Sequence, residues 1–175
     1  MNINKGEMKM ERITLGKLDD LINKNNTLIQ SGQHPISSQP KGVDLTGIHV
    51  SFMALCLRMK FNGSDIRGSY FNSSNFDKCD FSGADMRGME IRYSKFIECD
   101  FSGVSLMGTK FTNTKFIKCN FAGADIRGVK FKNCFMDKSN FYGINFNGAD
   151  LVDCDFIGCK PDDTLRSFIM NGYKG

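Results

Sequence analysis

Histidine is nearly absent from this sequence: two residues in 175, His34 and His49. No histidine lies beyond position 49, so the serines and cysteines further along have no imidazole base beside them to form a nucleophile–base pair. Phosphate-cradling glycine motifs are missing too, since no GxGxxG or Walker pattern stands at a strand–helix junction. There is no run of eighteen apolar residues, which excludes a membrane-spanning helix. The opening MNINKGEMKMER lacks the apolar core of a cleaved secretory signal, so none is expected. Charge of one sign is also lacking: 23 Lys and Arg face 19 Asp and Glu, a net charge of +4. That mild excess does not argue for a nucleic-acid partner. These absences lead us to expect no enzyme, no cofactor and no metal.

What the sequence has is a period. Residues 61–160 read as five blocks of twenty, among them FSGADMRGMEIRYSKFIECD and FAGADIRGVKFKNCFMDKSN. Within each block lies a period of five. Stepping by five from Phe61 to Phe156 meets only Phe, Ile, Leu or Met at twenty successive positions. For one chosen register, 41% apolar content gives this by chance with a probability on the order of 10^-8. The residue two before each is mostly small: Ser, Thr, Cys or Ala. A helix needs a spacing of 3.6 and a flat strand a period of two, so neither produces five. A square coil does. Each side turns one large and one smaller side chain inward, and four sides make twenty residues. One coil cannot bury its inner face alone, so the coils must stack. A layer spacing of roughly 4.8 Å lets their backbones pair.

Glycine marks the corners. It stands two after the large residue on the first two sides of every block, as at Gly103 and Gly108. Those corners are expected to need positive φ. On the third and fourth sides the same position holds residues such as Asn113 and Lys118, so a turn that tolerates a β-carbon is expected there. The seven cysteines follow the same geometry. Cys79, Cys99, Cys119 and Cys159 share one inward column, with Ser139 in the gap, and Cys134 and Cys154 share another. A ladder of this kind does not give the tetrahedron that zinc prefers, and one layer is slightly long for a relaxed disulfide. We expect packing thiols in a reducing compartment.

The repeated A-(D/N)-(L/F)-x-G units, as in Ala84–Gly88 and Ala124–Gly128, resemble the pentapeptide repeat family over roughly Val43 to Lys160. The resemblance implies an all-β fold, a right-handed quadrilateral parallel β-helix of five to six coils, and a bacterial origin. The Phe-rich style resembles quinolone-resistance members that bind DNA gyrase. It is also similar to repeat domains of effectors secreted by Gram-negative pathogens. The expected function is therefore a non-enzymatic protein-interaction scaffold, cytoplasmic or, alternatively, secreted into a host cell. The alternative is a DNA mimic that binds and protects gyrase. Against that alternative, residues 61–160 hold thirteen Lys and Arg and twelve Asp and Glu, which is near neutral.

Three regions are expected: a polar leader over 1–41, the β-helix over 42–160 and a cap over 161–175. In the leader, residues 1–13 read as polar and mobile. Thr14 caps a short helix with Leu15, Leu18, Leu21 and Ile22 on one face, a lid for the open first coil. Residues 23–41 read as linker. The first coil matches the second after a shift of twenty-one, so an extra residue is expected between Leu55 and Phe61, near Cys56–Met59. Its large positions are read as Leu45, Val50 and Leu55. The period stops at Pro161. A closing helix with Leu165, Phe168 and Ile169 on one side is expected after it, offering a homodimer contact.

Only outward positions remain to act. Residues 101–140 carry seven basic residues against two acidic ones. Lys110, Lys130 and Lys132 fall on the third side. Lys115, Lys118 and Lys138 fall on the fourth, beside outward Ile97, Ile117 and Phe135. With Lys95 these form the candidate surface for an acidic or apolar protein partner. An Arg column (Arg67, Arg87, Arg127) beside an Asp column (Asp65, Asp85, Asp125) is expected to balance charge on the second side. The third coil interrupts both columns with Met107 and Ser105.

Overall fold

The computed structural model describes residues 10–36, 39–50, 55–144 and 147–161. Over 61–144 every fifth residue turns inward as the period requires. Of the twenty large positions, Phe146 lies outside the described residues. The rest are buried except Phe156, which is partly exposed in the last coil. Residues twenty apart are neighbours in successive layers of a parallel solenoid.

Sides three and four form two six-stranded parallel sheets. On side three the strands are His49–Val50, Tyr70–Asn72, Glu90–Arg92, Lys110–Thr112, Lys130–Lys132 and Asp150–Val152. On side four they are Leu55–Leu57, Asn75–Asp77, Lys95–Ile97, Lys115–Ile117, Phe135–Asp137 and Asp155–Ile157. Sides one and two pair mostly through isolated bridges, such as Asp80 to Asp100 on side one and Asp65 to Asp85 on side two.

The interior is built from stacked phenyl columns. On side one Phe81, Phe101 and Phe121 stack with ring centroids 5.0 and 4.8 Å apart and planes within 4°. On side four Phe96 and Phe116 stack at 5.2 Å. The two columns meet edge to face, Phe96 against Phe101 at 5.2 Å and 72°, the arrangement that ring quadrupoles favour. Small inward positions close the remaining space. Their buried hydroxyls are satisfied by carbonyls, as where Thr109 Oγ1 donates to Met86 O at 2.6 Å.

Corners differ from expectation on half of the coil. Gly63, Gly83 and Gly103 have φ near 60–70°, each third in a turn closed by the next N–H, as Val104 N–H donates to Phe101 O at 3.2 Å. This is the arrangement of a type II turn, which needs positive φ there. The side-three and side-four corners also take positive φ, mostly without glycine, as at Tyr93 at 50°, Asn113 at 51° and Lys118 at 54°, with Gly158 the exception. These values sit near the left-handed helical minimum of about 57°, which a β-carbon tolerates at some cost.

The N-terminal end is more ordered than the leader reading implied. Glu11 to Ile13 add to side two of the first coil. Ile13 N–H donates to Asp44 O at 3.0 Å, and Asp44 N–H donates to Glu11 O at 2.8 Å. Thr14 does cap the helix, accepting from Lys17 N–H at 3.3 Å, but the helix runs from Leu15 to Gln30, through the expected linker. It buries Leu18, Ile22 and Asn25, whereas Leu15 is exposed. The helix is long because Asn25 and Asn26 serve the edge strand beneath it. Asn25 donates to Leu57 O, while Asn26 donates to Leu55 O and accepts from Leu57 N–H at 3.1 Å. Two side-chain amides thus take the place of a further strand on a sheet edge. On side one, Gln39 Oε1 accepts from Lys60 N–H at 3.1 Å.

Two register expectations are corrected. Val50 pairs with Phe71, a shift of twenty-one, but Cys56 already pairs with Phe76, a shift of twenty. The extra residue therefore falls before Leu55, within 51–54, outside the described residues. Cys56 is the inward residue and Leu55 is exposed. At the other end, pairing reaches Pro161 itself, which pairs with Phe141. The expected closing helix and the dimer contact on it lie outside the described residues.

Candidate functional site

On side two the outward charges neutralise one another. Asp65, Asp85 and Asp125 each sit two residues before an arginine, the span of one turn. Arg67, Arg87 and Arg127 reach back to them at 2.6, 2.6 and 2.7 Å. Arg67 also approaches Asp85 in the next layer at 3.6 Å. The Arg127 hydrogen bonds hold the Asp125 carboxyl below its ordinary range, and the Thr46 backbone N–H does the same for Asp44. In the third layer Ser105 and Met107 replace the pair, as the sequence indicates, and Met107 is exposed.

Sides three and four differ. Arg92 is paired with Glu90, and Glu98 joins Lys78 at 3.7 Å and Lys118 at 3.5 Å. The other six candidate lysines, Lys95, Lys110, Lys115, Lys130, Lys132 and Lys138, form no ion pair among the described residues. Strand register stacks them. Lys95 lies directly under Lys115, and Lys110 under Lys130, with Thr112 under Lys132. Ile97 stacks under Ile117, and Phe135 stands over Lys115 in the neighbouring column. The apolar column is broken by Asp137 before Ile157. The structure thus brings the candidate residues onto two adjoining faces that share the corner bearing Tyr93, Asn113 and Asn133.

A shallow depression of about 160 Å³ opens on side three, lined by Lys110, Thr112, Lys130, Lys132, Asp150 and Val152 over the Phe111 and Phe131 backbone. The period predicted which lysines share a side. It carried no signal for the depression, which arises from the pairing of neighbouring layers.

Cys79 and Cys119 serve as packing thiols. Cys79 Sγ donates to Cys56 O at 3.2 Å and Cys119 Sγ to Phe96 O at 3.5 Å, each reaching one layer down. Burial pushes the Cys79 and Cys119 thiols up. A thiol held protonated in this way is a poor nucleophile. Ser139 keeps the same column and donates to Phe116 O at 3.5 Å. Among the described residues no group of His, Cys, Asp and Glu is placed to hold a metal ion, and no helix is long and apolar enough to cross a membrane.

Two family models match this chain: the pentapeptide repeat region over residues 69–141 and pentapeptide repeats (8 copies) over 124–160. No curated protein sequence matches it. Among solved structures it is similar to full-length QnrB1, a plasmid-mediated fluoroquinolone resistance protein. The identity is 15%, over 74% of this chain and 100% of that one, with a TM-score of 0.45. It is similar to a pentapeptide repeat protein from the Arabidopsis thaliana thylakoid lumen, at 19% identity over 77% of this chain and 83% of that one, TM-score 0.41. A pentapeptide repeat protein from the cyanobacterium Cyanothece 51142 matches at 13% identity over 81% and 95%, TM-score 0.31.

Proposed function

The chain belongs to the pentapeptide repeat family, and from that premise we propose that it is a non-enzymatic scaffold presenting sides three and four to a protein partner. The observation that carries this reading is the uneven treatment of charge. Side two couples each arginine to an aspartate, whereas six lysines on sides three and four, beside Ile97 and Ile117, form no ion pair among the described residues. A rigid surface with free cations and adjacent apolar residues suits an acidic partner that also buries some carbon. Among the described residues the inward side chains are committed to packing. The seven thiols suit work in a reducing compartment, the cytoplasm of a bacterial cell or of a host cell.

The test is partner capture by the full chain against the Lys115→Glu/Lys118→Glu variant. The reading expects the captured partner to be lost on charge reversal, and unchanged capture contradicts this face. Gyrase protection is the alternative. It calls for a rod dense in negative charge, whereas residues 61–160 balance thirteen basic against twelve acidic residues. In a supercoiling assay the scaffold reading expects neither inhibition of gyrase nor protection from a quinolone. Protection would favour the alternative.

A further inference from the structure

We propose that the side-three depression is a recognition site for a single phosphoryl group carried on a protein segment. The proposal deepens the scaffold reading and rests on it. Lys110 and Lys130 are paired in register one layer apart, roughly 4.8 Å between backbones, and both are exposed. Like charges directly opposite on neighbouring strands are destabilising. Elsewhere on this solenoid Arg67, Arg87, Arg92 and Arg127 are offset by the acid two residues before, and Lys78 and Lys118 by Glu98. Lys110 loses its neighbour Glu90 to Arg92. A third amine, Lys132, enters the depression from the adjacent column, and the Thr112 hydroxyl lies beneath it.

The chemistry of the lining selects the ligand. Three ammonium groups around a depression of about 160 Å³ match a tetrahedral dianion with three acceptor oxygens better than a planar monoanionic carboxylate. Asp150 stands directly over Lys130 and forms the far wall. Its charge lowers the net positive charge of the depression, which disfavours a continuous polyanion and leaves a single phosphoryl group best placed towards Lys110 and Lys132. Val152 adds a half-apolar rim on the same wall, exposed to meet the carbon of a flanking residue. A phosphorylated side chain on a peptide supplies both features, whereas inorganic phosphate supplies only the first.

The experiment is an NMR titration of the 15N-labelled full chain. The probes are a neutral dodecapeptide with one phosphoserine, its unphosphorylated form, inorganic phosphate and a single-stranded oligonucleotide. The expected result is saturable shifts of the Lys110, Thr112, Lys130 and Lys132 amides with the phosphopeptide, no shifts with the unphosphorylated peptide, and weaker binding of the other two. The Lys110→Ala/Lys130→Ala variant should lose at least about ten-fold in affinity, and Asp150→Asn should gain a few-fold. These positions face solvent, and an unchanged thermal unfolding curve shows that each variant is folded. Silence at the four amides, equal response to the unphosphorylated peptide, or indifference to the double variant overturns the site. Equal or tighter binding of inorganic phosphate or the oligonucleotide overturns the protein-borne source. If the titration is silent while Lys115→Glu/Lys118→Glu still abolishes partner capture, this inference falls and the scaffold stands. If the phosphopeptide binds and charge reversal leaves capture intact, the scaffold face falls alone.

Discussion

Sides one and two turn their corners with glycine, while sides three and four turn theirs with a β-carbon in the left-handed region. The backbone cost is lower in the first pair, but each glycine removes a side chain from the surface. In the second pair Tyr93, Asn113, Lys118 and Lys138 hold the corners and add chemistry at the edges of two continuous sheets. The first pair holds the Arg–Asp couples, and the second holds the uncompensated lysines. One interior therefore carries two exteriors, one with its charges matched and one with cations to spare.

The largest test asks whether the two halves share a core. Phe101→Ala on side one and Phe116→Ala on side four should each cost about 3–5 kcal/mol in urea unfolding, because both rings are fully buried and stack edge to face. A small loss for one and a large loss for the other would mean the halves do not form one packed interior.

The corner contrast is sharpened by exchanging its residues. A β-carbon at Gly103 would meet nothing within 4 Å, so any loss on substitution is conformational. Gly103→Val should cost about 1–2 kcal/mol, whereas Asn113→Gly should be neutral or stabilising by up to about 1 kcal/mol. A loss at Asn113 as large as that at Gly103 would show that their backbones are not in the same region.

A third test uses the thiol column at the seam between sides four and one. Burial raises the folded pKa of Cys79 and Cys119 above the unfolded value of about 8.5. Their protonated forms thus support the fold fully below that pH, and the support is lost as pH rises beyond it. Cys99, between them, is lowered despite burial by hydrogen bonds from Cys119 and Cys79 and acts in the opposite sense, so the Cys79 and Cys119 contribution between pH 8 and 11 is read against a variant. The Cys79→Ser/Cys119→Ser variant should show a shallower fall in melting temperature over that range, since Ser139 already fits this column. An identical slope would remove the thiols from the explanation.

The smallest effect separates the exteriors. Arg127→Ala, which breaks a couple, should destabilise slightly, while Lys130→Ala should be neutral or slightly stabilising at low salt. The same sign for both would erase the distinction between matched and spare charge.

Legibility in the sequence followed repetition. The inward columns, the side each lysine occupies and the glycine corners recur every twenty residues, so the sequence states each of them several times. The N-terminal end states its solutions once. Arg12 on Asp44, Asn25 and Asn26 on the edge strand, and Gln39 on Lys60 are polar residues that follow no period. Read alone they look like leader and linker. Leu55 and Cys56 are adjacent, and choosing the larger as inward misplaces the slip, because pairing with Phe76 decides the register. Tyr93, Lys118 and Lys138 give no hint of left-handed backbone, since the stacked layers impose it. The depression on side three was illegible because it arises from the pairing of neighbouring layers, which no single repeat displays.

The most direct test of the account is whether residues twenty apart in sequence are neighbours in space. Nuclear Overhauser contacts in the labelled protein should link the ring of Phe96 to those of Phe76 and Phe116, and the strand Lys95–Ile97 to Lys115–Ile117. The same offset should recur from coil to coil across 61–141. A pattern of contacts three and four residues apart through that region, with no connection at twenty, would contradict it.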